Sequence, residues 1–388
     1  MQDGRDTVPA VERWAGAGHS DDSDPARAGA EAVAAAIGGG NPRLVLVFAS
    51  PRYSFDALLP AARQAAGPAE LIGGARAGDG VSAFALGGRG FTAASASAEL
   101  TRAGSREAGE QAARCLLGLG DELPHRALIV LADPLAGDSQ EVARGAYSVA
   151  GATVSLIGGS TGAGPEPGPT TQLHGDRVLS GSVVAAALAS QAPFGVGVRH
   201  GLEPRGGPLL VTATQGTTVE TLNDRPALEA YLEALAAPPE VGRDPAAFSG
   251  LALRHPFGVA AARGREAQIR SLTADFESGS LRSSAELPPG TLVWLMEGDS
   301  DRLLDATVEA CFEALAALGG RPPLGLLAFD SLARADLLGS GGAAEERAGI
   351  GAAAGGAPTA AVPTLGEIAR IRGFAGFHSH SVAVLAIA

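Results

Sequence analysis

Arg126-Ala127-Leu128-Ile129-Val130-Leu131-Ala132-Asp133-Pro134 repeats, 83 residues on, the pattern of Arg43-Leu44-Val45-Leu46-Val47-Phe48-Ala49-Ser50-Pro51. Each is an unbroken apolar run closed by a small polar residue and a proline. That is the signature of a strand covered on both faces, since a half-exposed strand would alternate. Each run leads through a helical stretch to a second, shorter one, Leu71-Ile72-Gly73-Gly74 and Leu156-Ile157-Gly158-Gly159, 85 residues apart. The intervening helix of the second copy has Asp138 at its cap position, Glu141 three residues later and Gly151 as its stop. In the first copy Ser54 is the cap candidate, and Pro60 is expected to kink or shorten the helix. Strand, helix and strand at this spacing predict a parallel pair joined by a right-handed crossover.

Outward from these modules, residues 81–98 and 170–189 alternate in polarity and are expected to form antiparallel hairpins. The fold class is therefore α/β, with mixed β-sheets covered by helices such as 28–37 and 105–117. Residues 1–27 have no apolar period and read as a disordered tail. Asn223-Asp224-Arg225-Pro226 signals a helix start, with Leu228, Leu232 and Leu235 at helical spacing behind it. A domain boundary is expected there, giving domains 28–224 and 225–388. In the second domain, residues 291–296 and 324–329 read as covered strands. Between them Leu304, Val308, Cys311, Leu315 and Leu318 form the apolar stripe of a helix stopped by Gly319. Residues 339–356 read as a loose segment, and 366–387 as the closing strand region.

A chain of 388 residues exceeds one core, which agrees with two domains. Hydrophobic residues make up 46% and charged ones 18%, the balance of a folded chain. The net charge is −13 and all 29 basic residues are arginine, which argues against nucleic acid or an anionic membrane as partner. Abundant Ala and Gly suggest compositional bias, so short glycine motifs are discounted. Cys115 and Cys311 fall on apolar helix faces and read as buried reduced thiols. Residues 1–17 hold no apolar signal core, and no window approaches the roughly 18 apolar residues of a membrane span. A cytoplasmic protein is expected.

Gly158-Gly159-Ser160-Thr161-Gly162 is a literal G-x-S-x-G after a strand. A nucleophile elbow must enter a helix at once, whereas Ala163-Gly164-Pro165-Glu166-Pro167-Gly168-Pro169 cannot be helical. The stretch reads better as a glycine loop whose backbone donors could meet a ligand. Neither Gly-Gly turn has the lysine or the helix entry of a phosphate or dinucleotide loop, and no cofactor is expected. His378 and His380 share one face of an extended segment, too few ligands for a metal site. Arg334 and Glu367 stand in apolar surroundings. They read either as a structural ion pair or as pocket groups matching the carboxylate and ammonium of an amino-acid-like ligand.

Together these residues resemble the FIST domain family, the sensory module of prokaryotic signal-transduction proteins. In the first part the resemblance lies in residues 45–50, Ile72-Gly73-Gly74, Ile157-Gly158-Gly159-Ser160, and Gly197-Val198-Arg199-His200-Gly201 leading to Pro208 and Val211-Thr212. In the second it lies in residues 223–231, Phe329-Asp330-Ser331-Leu332-Ala333-Arg334, Gly366-Glu367-Ile368-Ala369-Arg370, Gly376-Phe377-His378 and residues 382–387. Two departures stand out: Ser331 replaces a frequent cysteine, and Ala75-Arg76 replaces a polar residue after the first Gly-Gly turn. The resemblance implies a stand-alone sensor of a small molecule, with amino acids or their derivatives the suspected ligands. The candidate ligand contacts are Arg334, Glu367, His378, Ser331, Gly366 and Ser160. With no output module in the sequence, the signal is expected to pass to a separate partner protein or through homo-oligomerisation. The alternative is a hydrolase using Ser160 or Ser331 as nucleophile.

Overall fold

A computed structural model describes residues 13–101, 103–162, 170–259, 267–371 and 374–388. In chain order the strands begin β1 (Trp14–Ser20), β2 (Pro42–Ala49), β3 (Glu70–Ala75), β4 (Val81–Gly87), β5 (Phe91–Glu99), β6 (His125–Ala132), β7 (Ser155–Ser160) and β8 (Gln172–His174). Next come β9 (Arg177–Leu179), β10 (Ser182–Ser190), β11 (Phe194–Arg199), β12 (Glu203–Gln215), β13 (Thr218–Leu222), β14 (Arg225–Pro226), β15 (Phe257–Val259) and β16 (Gln268–Arg270). The last are β17 (Leu272–Asp275), β18 (Ser280–Ser283), β19 (Leu292–Glu297), β20 (Gly325–Ser331), β21 (Thr359–Thr364), β22 (Glu367–Ile371), β23 (Phe374–His378) and β24 (Val382–Ile387). The helices are α1 (Pro25–Ile37), α2 (Phe55–Ala66), α3 (Ser105–Ala113), α4 (Ser139–Ala150), α5 (Ala227–Ala234), α6 (Pro245–Arg254), α7 (Ser300–Ala316) and α8 (Leu332–Ala353).

The repeat seen in the sequence extends to a third copy. One sheet has the order β1-β4-β2-β3-β8-β9 and a second the order β5-β10-β6-β7-β22-β23. Pairing senses match position by position: two antiparallel pairs, the parallel pair, then an antiparallel hairpin on its outer edge. The third sheet, β11-β24-β20-β21, repeats the first four positions with the same senses. One core joins all three, with Leu46, Phe48 and Phe84 from the first sheet, Ile129 and Leu188 from the second, and Phe329 and Leu385 from the third. The fourth sheet, β16-β15-β19-β12-β13-β18-β17, lies in the chain between β11 and α7 and has its own core around Tyr231, Phe248 and Phe257.

The mixed α/β class holds, and the parallel pairs β2–β3 and β6–β7 are as expected. α4 is capped by Asp138, whose Oδ1 accepts from the Gln140 and Glu141 amides. Several expectations are corrected. Residues 14–20 are no tail; they form an edge strand paired with β4, while residues 1–12 lie outside the described residues. Residues 81–98 do not form a hairpin, because β4 pairs in the first sheet and β5 crosses to the second to pair with β10. Of residues 170–189, only β8 and β9 make a hairpin. α2 runs on through Pro60, and Ser54 stands at its N-cap without a side-chain bond. Asn223 and Asp224 have φ of 49° and 61° and form the two-residue turn between β13 and β14, so α5 starts only after it.

The glycines set aside as compositional bias have structural work. A Cβ on Gly16 or Gly18 of β1 would collide with the Ala36 or Ala32 carbonyl of α1, and one on Gly195 or Gly197 of β11 with the Ala314 or Ala310 carbonyl of α7. Helix backbone thus lies directly on strand backbone. For this reason α7 buries Ala306, Ala310, Cys311 and Ala314, and Val308 of the anticipated stripe is exposed. The stretch 339–356 is helical through residue 353, with one break at Gly339 (φ 66°, ψ 178°). The terminal stretch is not a single closing element. β22–β23 joins β7 in the second sheet, while β24 lies between β11 and β20 in the third.

Candidate functional site

The end of β20 and the start of α8 carry two charges into the interior. Arg334 has no exposed surface. It donates to the carbonyls of His200 and Leu303, each at 2.8 Å, and to Thr307 Oγ1 at 2.7 Å. Its carboxylate partners are Glu346 at 2.5 Å and Asp330 at 3.3 Å. Along an unbroken helix residues 334 and 346 would stand about 18 Å apart. The break at Gly339 turns the second half of α8 back, so the ion pair closes across it. Burial and the neighbouring Glu346 push the Asp330 carboxyl well up, against the pull of Arg334. Burial would also raise Glu346, but Arg334 beside it and the bonds from Asp330, Arg334 and Thr307 hold it below the ordinary range.

Glu367 is buried in a second group. It accepts from Thr364 Oγ1 at 2.9 Å, Ser381 Oγ at 2.6 Å and the Ser381 amide at 3.2 Å. Burial outweighs these donors and pushes its pKa up to about 8. His378 Nε2 lies 3.4 Å from the Ala369 carbonyl and His380 Nε2 3.0 Å from the Leu253 carbonyl. His200 Nδ1 accepts from the Leu202 amide at 2.9 Å. Burial drives all three imidazoles down, His200 to about 3 and His378 and His380 to about 4. Arg334 adds its repulsion at His200 and His380, and Arg270 at His378. All three are neutral at ordinary pH.

The anticipated ion pair between Arg334 and Glu367 is absent: carboxylates from α8 and β20 answer the arginine, and hydroxyls answer the acid. Ser160 Oγ lies 3.0 Å from Ser139 Oγ, and its amide donates to the Gly366 carbonyl at 2.8 Å. Ser331 Oγ accepts from the His380 amide at 3.3 Å, and His380 itself sits at φ 55°. No imidazole bonds either hydroxyl among the described residues, so neither serine has the base a nucleophile needs. Gly366 admits no side chain, since a Cβ would strike the Phe377 ring. Among the described residues no three His, Cys, Asp or Glu side chains gather to hold a metal. Burial pushes the Cys115 thiol up to about 12 and Cys311 to about 11, which keeps both protonated.

Solvent enters instead at a cavity of about 710 Å³ between the first and third sheets. None of the six anticipated contacts lines it. Its walls are Ala17, Gly18 and His19 of β1, Ser82, Ala83 and Phe84 of β4, Phe48, residues 76–79, Asp330, residues 359–363 of β21, and Leu332, Ala335, Ala343 and Arg347 of α8. Arg76 is 9% exposed; its two terminal nitrogens donate to the Ala77 and Asp79 carbonyls, and its buried Nε has no partner. Burial lowers its pKa; Asp21 and Asp79 oppose this and Arg347 adds to it. Those acids are already engaged, Asp79 with Arg52 and Asp21 with His19, each at 3.1 Å. Arg347 is exposed and, among the described residues, has no hydrogen bond or ion pair. The cavity thus has an apolar floor, Arg347 and the Arg52-paired Asp79 at its rim, and Arg76 buried in its wall. Asp330, with 16% of its side chain exposed, connects it to Arg334.

Sequence reasoning missed Arg347, Asp330 and Glu346 as partners because two of them lie in the stretch taken as loose. Arg76 was visible only as an unusual charge after a Gly-Gly turn.

A family model described as FIST N domain matches residues 43–225, and one described as FIST C domain matches residues 227–370. No curated protein matches the chain. Among solved structures, a chorismatase is similar at 10% identity over 98% of this chain and 100% of that one, with a TM-score of 0.37. A cyanuric acid hydrolase from A. caulinodans is similar at 14% identity over 46% of this chain and 72% of its own, with a TM-score of 0.26.

Proposed function

Since the chain belongs to the FIST family, with its N and C domains in order, it is a sensory module of signal transduction, and we propose that it senses a small polar ligand bound in the cavity beside β21. The observation that carries this reading is the free Arg347 facing the buried Arg76 over an apolar floor. Pockets of roughly 300–1,000 Å³ with a few convergent polar groups are the usual form of a small-molecule site. Amino acids and their derivatives are the first ligands to try. Arg334, Glu367 and His378, buried behind the wall, act in this reading as the relay. A ligand that changes the surroundings of Asp330 or Arg347 shifts the pair Arg334–Glu346 and so the angle of α8 at Gly339. The signal then passes to a separate protein partner, in a reducing cytoplasm that suits two buried thiols.

Calorimetry against a panel of amino acids and derivatives tests it, with Arg347→Gln as control. Binding weakened at least tenfold by that change is expected; uniform absence of binding, or binding indifferent to Arg347, would sink the reading. The hydrolase alternative predicts labelling of Ser160 or Ser331 by a fluorophosphonate probe. With no imidazole on either hydroxyl, none is expected.

A further inference from the structure

The three units differ at one place. The connection after β7 forms the hairpin β8–β9, seated on β3, and the connection after β21 forms β22–β23, seated on β7. The connection after β3 is the short loop 76–80, and among the described residues no strand is seated on β21. The outer edge of β21 therefore lies open along the cavity, which residues 359–363 line without interruption. The Leu326 amide donates to the Pro358 carbonyl at 3.0 Å. In a parallel ladder, backbone groups of residues 358, 360 and 362 then point to β20, and those of 359 and 361 point away from it. Among the described residues the amides and carbonyls of Thr359 and Ala361 have no backbone partner on that side. On the two equivalent edges a strand answers such groups. Ala75 donates to the Thr171 carbonyl at 2.8 Å, and Ser160 to the Gly366 carbonyl at 2.8 Å.

We propose that the cavity takes a short extended peptide with a free carboxy terminus, added as a strand to β21. Its amides pair with Thr359 and Ala361, an apolar side chain lies on Phe48 and Phe84, and its carboxylate meets Arg347 and Arg76. This rests on the sensor reading above and narrows its ligand. A free amino acid is a poorer match, because its ammonium finds no uncommitted carboxylate: Asp79 serves Arg52 and Asp330 serves Arg334. It also has no amide to offer the strand edge.

Calorimetry on the full chain with four matched probes decides this: N-acetyl-Val-Phe, its carboxy-terminal amide, the same acid N-methylated at the Phe nitrogen, and free phenylalanine. The acid is expected to bind, with each of the other three at least tenfold weaker and its affinity falling as salt rises. Arg347→Gln should reduce the acid to the level of its amide. Ala361→Pro removes one outward donor without touching the ladder to β20 and should weaken the acid at least tenfold, since a peptide carbonyl loses its partner. Should that variant melt early, the N-methyl probe on the unaltered chain stands alone. Free phenylalanine binding as tightly as the peptide, or N-methylation without effect, overturns the added-strand mode and leaves the sensor reading intact. If neither these probes nor the wider panel binds, both fall.

Discussion

Glu367 keeps its proton to about pH 8 in the folded chain, against an ordinary value of 4.5. Between those values the folded state binds more protons than the unfolded one, so stability falls as pH rises through that window. Asp330, also raised, adds to this alkaline arm. The histidines have the opposite sign. His200, His378 and His380 hold values of about 3 to 4 against an ordinary 6.5, so their contribution is present above pH 6.5 and is lost as pH falls toward 4. The half-buried His174 and His255, both lowered by burial, act in the same direction. Urea midpoints measured across this range should therefore peak near the ordinary histidine value. Glu367→Gln should flatten the alkaline arm and, by removing its opposing slope between pH 4.5 and 6.5, steepen the acid one; an unaltered chain equally stable at pH 6.5 and 8.5 contradicts the argument. Arg334 offers a second test at this scale. Its replacement by Met strands two buried carboxyl groups and should cost roughly 3–5 kcal/mol. Adding Glu346→Leu should recover much of that loss, as a double-mutant cycle in urea would reveal.

At the scale of elements, most of the plan was legible in the sequence and its spacing was not. The unbroken apolar runs announced β2 and β6, and Asp138 with Gly151 bracketed α4, because these are local rules that burial reinforces. The closeness of helix to strand was illegible. Alanine and glycine carry no polarity contrast, so α7 was assigned its larger apolar residues as the buried face. The structure instead sets Ala310 and Ala314 over Gly197 and Gly195. α8 failed for the same reason: its glycines outvote its pattern, and the ion pair that holds it joins residues on opposite sides of a break. Gly197→Ala should therefore destabilise by roughly 1–3 kcal/mol through overpacking. Gly339→Ala should cost roughly 1–2 kcal/mol, since alanine resists positive φ. Denaturant midpoints check both, and neutral outcomes would mean the helices have room to move.

At the scale of the molecule, the family's two domains are contiguous in sequence but not in hydrogen bonding. The hairpin β22–β23 completes a sheet whose other strands lie before residue 191, and β24 separates β11 from β20. A chain ending at residue 225 would leave β7 with an open edge and β11 without a partner. It should lack a cooperative thermal transition and show rapid amide exchange in β7 and β11; a sharp transition would mean that the first part folds alone. The candidate contacts illustrate the same limit on sequence reading. Arg334, Glu367 and His378 were found as charges and imidazoles in apolar surroundings, which is a valid sign of a buried network. The cavity wall was not found, because it forms only where residues near 18, 76 and 360 converge.

The open edge of β21 also bears on solubility. A bare row of strand amides is the usual template for stacking one copy of a protein on another into insoluble fibres. Here the row is recessed behind β1 and α8, and Pro363, standing at an outward position, has no N–H to extend it. The chain can leave a sheet unfinished for a guest and still be poor at recruiting itself.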